Sequence, residues 1–184
     1  MYETFEELEN GIQKCNKCKL CNNRTNIVLG VGNKDAKIMF IGEGPGADED
    51  IQGIPFVGKA GKLMNQAFKG IGIDREEVYI ANVVKCRPPM NRNPEQDEVS
   101  ACLDYLRSQV MLVKPEIIVL LGSVALKAIL GKEYSITASR GKWIERKGIK
   151  YMPTFHPAAL LRDESKKIYF WNDLKEVVRE ANKE

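Results

Sequence analysis

The chain has 184 residues, of which 43% are hydrophobic and 29% charged, with a formal net charge of +3. This is enough chain to bury a core within one domain, 1–184, and no apolar run approaches the ~20 residues of a membrane span. The opening MYETFEELENG is acidic, not apolar, so it reads against a signal peptide and gives a cytoplasmic expectation.

Charge is unevenly spread. The first thirteen residues hold Glu3, Glu6, Glu7 and Glu9 without a cation, whereas 132–167 carries nine Lys/Arg against four Asp/Glu. A basic C-terminal third suits a polyanion, although charge alone more often marks a solvated face.

In chain order, the first feature is CNKCKLC, with Cys15, Cys18 and Cys21 in an N-terminal segment of about 1–25; Cys86 and Cys102 bring the total to five. An odd number of cysteines in a cytosolic chain points to metal or cluster ligation before disulfides. Four thiolates suit tetrahedral zinc and a four-iron cluster alike, and spacing does not separate them. Cys102 lies on the apolar stripe of a predicted helix, where a lone cysteine is usually core, and Cys21 is the spare, free or a replacement for either of its neighbours.

Near-continuous apolar runs predict strands buried on both faces at about 37–41, 78–84, 116–121 and 150–155. Helices are predicted at 58–70, 94–113, 123–130 and 165–182, the second with Asn93 as cap and Pro94 in its first turn. The alternation predicts a three-layer α/β/α sandwich around a mostly parallel four-stranded sheet, with ligands bound at the strands' carboxyl ends. The loops GEGPG, KCRPP and HPAALLR leave three of those ends and should meet in one crevice.

Two segments come close to nucleotide motifs. GEGPGA (42–47) has the glycine spacing of a dinucleotide loop, but Pro45 interrupts the helix start and no acid follows about twenty residues on to hold a ribose. GIPFVGKA (53–60) approaches a phosphate loop, but Ala60 stands where a magnesium-binding hydroxyl belongs. The acids Glu43, Asp48, Glu49 and Asp50 also argue against an anion cradle.

The ordered set GEGPG, PFVGKAG, NVVKCRPP, RGKW and HPAALLR, framed by four cysteines, resembles the family-four iron-sulfur uracil-DNA glycosylases over nearly the whole chain. The resemblance implies that fold, a structural [4Fe-4S] cluster held by Cys15, Cys18, Cys86 and Cys102, and excision of uracil from single- or double-stranded DNA. It further implies a monomer that works beside a sliding clamp or other repair proteins.

By the same resemblance, Gly42, Gly44 and Gly46 shape the base pocket, and Phe56 stacks on the flipped ring. Glu43 either orients water or excludes the thymine methyl, and His156, the only histidine, donates toward the uracil 2-carbonyl. Asn82 lies in the middle of an apolar strand, where an amide needs a partner, and the uracil edge offers a matching one. Arg140, Lys142 and Arg162, with Arg87, are the expected phosphate contacts. Leu160 or Leu161 is the expected wedge in the gap left by the base. Two other readings are a non-catalytic iron-sulfur nucleic-acid-binding module and an iron-sulfur electron carrier.

Overall fold

A computed structural model describes residues 1–183. Its six strands are β1 (Val31–Gly32), β2 (Ile38–Gly42), β3 (Tyr79–Asn82), β4 (Ile117–Leu121), β5 (Ile144–Arg146) and β6 (Ile149–Thr154). They form one sheet in the order β1-β3-β2-β4-β6-β5. The inner four are parallel, as the sequence predicts. The expected count of four omitted β1 and β5, which pair antiparallel at the two edges. Neither carries a buried apolar run: β1 is two exposed residues, and β5 returns to β6 through Lys147 and Gly148, both at positive φ.

The helices are α1 (Phe5–Gln13), α2 (Ala47–Gln52), α3 (Lys59–Ile71), α4 (Gln96–Val113), α5 (Ser123–Leu130), α6 (Ile136–Ser139), α7 (Pro157–Arg162) and α8 (Lys167–Ala181). Side-chain alternation along the strands divides the core in two. Met39, Ile41, Tyr79, Ala81, Ile118 and Leu120 face α1, α4 and α5. Phe40, Ile80, Val119, Leu121 and Met152 face α3, α7 and α8. No helix among the described residues is long and apolar enough to cross a membrane.

The start of α4 differs from the expected Asn93 cap. The helix begins at Gln96, and the buried Glu98 carboxylate reaches back to the Glu95 N–H at 2.7 Å. Arg92 forks onto the same carboxylate at 2.8 and 2.9 Å. Glu98 therefore sets the helix start, and Pro94 stays in the loop.

The acid-rich loop after β2 holds the strand ends together. Glu49 accepts the N–H groups of Gly46 at 3.1 Å, Val57 at 3.0 Å and Gly58 at 2.9 Å. Amides that a phosphate would take at these helix starts are already paired with an internal carboxylate. The buried Asp50 accepts from Thr25 N–H and Asn26 N–H, tying α2 to the cysteine-bearing segment. Glu49→Ala should lower unfolding stability by about 2 kcal/mol, since hydrogen bonds to charged groups contribute that order each and water replaces some of them. Chemical denaturation measures it, and a loss below about 0.5 kcal/mol would mean that solvent substitutes for the carboxylate.

Candidate active site

The carboxyl ends of β2, β3 and β6 open into a cleft of about 580 Å³. Glu43, Gly44, Gly46, Phe56, Asn82, His156, Leu161 and Arg162 line it, so the three loops converge as the sequence predicts. Val83 and Val84 prolong the β3 pairing by donating to the carbonyls of Gly42 and Glu43, which fixes the cleft floor.

Asn82 is 1% exposed, and its Oδ1 is a buried oxygen with no hydrogen-bond partner, singled out among the described side chains. Such an atom costs about 1–3 kcal/mol and in a cleft signals a ligand donor. Gly42 is its register partner on β2, and a Cβ there would come within 2.5 Å of both Asn82 Oδ1 and the Phe56 ring. Glycine thus keeps the space beside the amide open. Phe56 is buried with φ at 54°, a conformation that a non-glycine residue holds only when its surroundings impose it. They do so here: Arg75 donates to the Pro55 carbonyl at 2.5 Å, and a Cβ on Gly61 would lie 1.9 Å from the Phe56 carbonyl oxygen.

The His156 ring lies 5.5 Å from the Phe56 ring, tilted by 30°. It caps α7, its Nδ1 accepting the Ala158 N–H at 3.0 Å. That bond fixes the tautomer, so the proton is on Nε2 and available to a ligand. Burial first and Arg162 second pull its pKa from 6.5 to about 4, leaving a neutral donor at physiological pH. Burial pushes the Glu43 carboxyl above its ordinary value, with Arg162 opposing.

The rim residues separate. Leu161 is 48% exposed and lines the cleft, whereas Leu160 is 1% exposed and belongs to the core against α3 and α8. Leu160 is therefore corrected to a packing residue, as helical spacing turns adjacent leucines to different faces. Arg162 lines the cleft and is exposed. Arg140 lies outside the lining: its guanidinium forks onto the buried Asp173, which also accepts from Thr154 Oγ1 at 2.7 Å. That corrects Arg140 from a free phosphate contact to the cation of an internal pair. Lys142 is exposed beside it, and Arg87 Nε donates to Asn91 Oδ1 at 2.9 Å.

The five cysteines ring a second, small cavity on the α1 and α4 side of the sheet. Cys21, expected to stand outside the set, lines it as well, with its thiol directed to Asn22 Oδ1 at 3.4 Å. Arg24 Nη1 donates to Cys86 Sγ at 3.5 Å, and the Lys85 N–H to Cys102 Sγ at 3.3 Å. Burial pushes the Cys102 thiol up to about 11. Among the described residues, no three such ligands gather closely enough to hold a single metal ion.

Lys85 was not singled out in the sequence. It is buried, and its ammonium donates to the Asn82 carbonyl at 2.7 Å and to Gln109 Oε1 at 2.5 Å. A charge inside the run NVVKC was the available signal. Glu49 and Arg75, which hold the loops, carried no motif of their own.

His156 is the only histidine, so its titration is readable without assignment. NMR should give a midpoint near 4 with the proton on Nε2 above it, and a midpoint near 6.5 would mean a solvated ring. The unfolded chain binds this proton near 6.5 and the folded chain only near 4, so the residue withdraws stability as pH falls through that window.

The family model of the uracil DNA glycosylase superfamily matches residues 29–176. A type-4 uracil-DNA glycosylase of Thermotoga maritima is 47% identical over 97% of this chain and 91% of its own. The namesake enzyme of Sulfurisphaera tokodaii is 46% identical over 95% and 84%, and that of Archaeoglobus fulgidus 42% identical over 95% and 92%. With these similarities spanning strand ends, cleft and cysteine segment, the chain belongs to the type-4 uracil-DNA glycosylases of the uracil DNA glycosylase superfamily.

Proposed function

We propose that the protein flips uracil out of DNA and hydrolyses its N-glycosidic bond, leaving an abasic site by a monofunctional, dissociative route. The observation that carries this reading is the unpartnered Asn82 Oδ1. It is an acceptor waiting for a donor, which uracil N3–H supplies, while the amide N–H₂ donates to the 4-carbonyl. Phe56 covers one face of the ring.

As the bond to C1′ breaks, negative charge grows on uracil and positive character on the sugar. His156 Nε2–H donates to the 2-carbonyl, and a neutral imidazole gives this stabilisation without a competing proton transfer. Glu43 is the half-buried carboxylate that orients the water attacking C1′. Arg162 and Lys142 meet phosphates, and Leu161 enters the vacated stack. All of these groups come from one chain, which supports action as a monomer.

The cysteine site fits a [4Fe-4S] cluster by its donor chemistry. Cys15, Cys18, Cys86 and Cys102 supply four thiolates, and Arg24 and the Lys85 amide supply donors to sulfur. A cluster is a body several ångströms across, so its ligands ring it and do not meet at a point. The void is only about 10 Å³, so these side chains would have to move apart for a cluster to be held there. Bound, it would tie the N-terminal segment to the end of β3 and the start of α4 and take no part in bond cleavage.

Incubation with a uracil-containing oligonucleotide in excess chelator, followed by alkali, should give strand breaks at uracil. Asn82→Asp should lower this at least ~10²-fold, because a carboxylate repels the 4-carbonyl. Wild-type rates in that variant, with unchanged stability, would make Asn82 a structural strand residue.

Protein purified without air should carry about four irons per chain. Cys15→Ala and Cys102→Ala should lose iron and stability together, whereas Cys21→Ala should keep both. Zinc in place of iron would reject the cluster, and iron loss in Cys21→Ala would move the ligand set.

A further inference from the structure

Met90 stands on the loop that leaves β3, and its side chain is 93% exposed. It has φ 53° and ψ 26°, and Asn91 follows at φ 55°. Two successive non-glycine residues in the left-handed region are rare. Asparagine tolerates the conformation through local hydrogen bonds, and Asn91 has one from Arg87, but methionine has no such compensation.

The loop is held there from both sides. Asn91 N–H donates to the Pro88 carbonyl at 3.1 Å, Arg92 N–H to the Pro89 carbonyl at 3.2 Å, and the Arg92 fork grips the buried Glu98. A rigid turn thus presents a flexible apolar side chain fully to solvent. Its neighbours Pro88, Asn91 and Arg92 line the cleft, and two arginines flank the tip with no acid between them. Arg92 is paired with Glu98, but Arg87 has no acid partner among the described residues and favours a polyanion over an apolar protein surface as what meets the methionine.

The sheet order sets how far apart the parent strands of this loop and of Leu161 lie. β3 and β6 are separated by β2 and β4, three strand spacings or about 14 Å. Met90 follows β3 and Leu161 follows β6, so the loops that carry these two exposed apolar side chains leave strands on either side of β2 and β4; Leu161 lines the cleft, and Met90 stands next to the lining residues Pro88, Asn91 and Arg92.

We propose that Met90 is a second apolar wedge, entering duplex DNA from the wall opposite Leu161 and holding apart the base step that uracil leaves. An unbranched thioether chain suits an irregular gap between unstacked bases. The inference rests on the reading that the cleft takes a flipped base from DNA. It adds that the duplex is opened from two sides, which single-stranded DNA does not need.

The test compares the full-length protein with Met90→Gly and Leu161→Ala on uracil in one sequence, single-stranded and paired. Glycine accepts the observed φ, so Met90→Gly should melt at or above the wild-type temperature. It should lose about tenfold in kcat/KM on the duplex and less than about twofold on the single strand. With 2-aminopurine beside a hydrolysis-resistant 2′-fluoro uracil nucleotide, binding to the duplex should give a smaller rise in fluorescence than with wild type. Equal duplex rates, or equal losses on both substrates, would overturn the proposal. Leu161→Ala separates the two readings: duplex rates unchanged there remove Leu161 as a wedge, while the Met90 comparison is still read on its own substrates. No uracil excision by the wild type on either strand would instead reject the flipped-base reading on which both rest.

Discussion

An amide oxygen buried without a partner is an expensive atom, and the architecture around Asn82 exists to keep it in place and unpaired. The backbone cannot yield: Asn82 is in register with Gly42 on β2, and its carbonyl is held by the Lys85 ammonium. The side chain has space because Gly42 has no Cβ, and no protein donor enters that space because Phe56 closes it with an apolar ring. A pocket of this kind discriminates through what its ligand must supply. On the function proposed above, uracil would bring a donor at N3 to meet the oxygen, whereas cytosine would bring an acceptor and leave two lone pairs facing each other.

The electrostatics of the cleft follow the same logic. The loop rich in glycine and acid has the outline of an anion cradle, yet its amides are occupied by Glu49, and its glycines serve close approach of backbone and rings. The interior is therefore built for a neutral ring, with a neutral imidazole donor, and Arg162 stands at the mouth. The exposed cation Arg162 is kept at the rim. Arg162 also reaches inward electrostatically, adding to the burial that keeps His156 neutral and opposing the burial of the Glu43 carboxylate. Burial, the larger cause at both groups, favours the neutral form of each, and one exposed arginine adds to it at His156 and opposes it at Glu43.

How much of this was legible in the sequence depended on the kind of signal each residue carried. The four inner strands were readable because burial on both faces leaves a run such as EIIVLL with no alternation to confuse. Edge strands β1 and β5 were not, since they have no buried run. Asn82 is legible as a polar exception inside an apolar run, although β3 ends at it and does not continue to 84, and His156 is legible through the resemblance of HPAALLR. Leu160 and Leu161 were not separable from sequence, because the phase of a six-residue helix has too few positions to fix it. Arg140 looked like a free cation because its partner, Asp173, lies thirty-three residues on and only folding brings the two together. Cys21 was set aside by pattern, yet the short helical turn Lys19–Asn22 carries it to the same cavity as the others.

The two special sites lie on opposite faces of one sheet and share a single segment. Asn82 falls in the alternation of Val78 and Ile80, toward α3, whereas Val83 and Cys86 belong to the α1 and α4 side. Lys85 spans the distance between them, its backbone N–H on the Cys102 sulfur and its ammonium on the Asn82 carbonyl. Burial draws that ammonium down to about 8, with Cys102 opposing. Anchoring the cysteines therefore fixes more than the N-terminal segment. It fixes the end of β3 from behind, and the reading amide in front is only as steady as that anchor. In the proposed reading, a sulfur site remote from the base would thereby contribute to its recognition through four residues of backbone, with no need to touch the substrate.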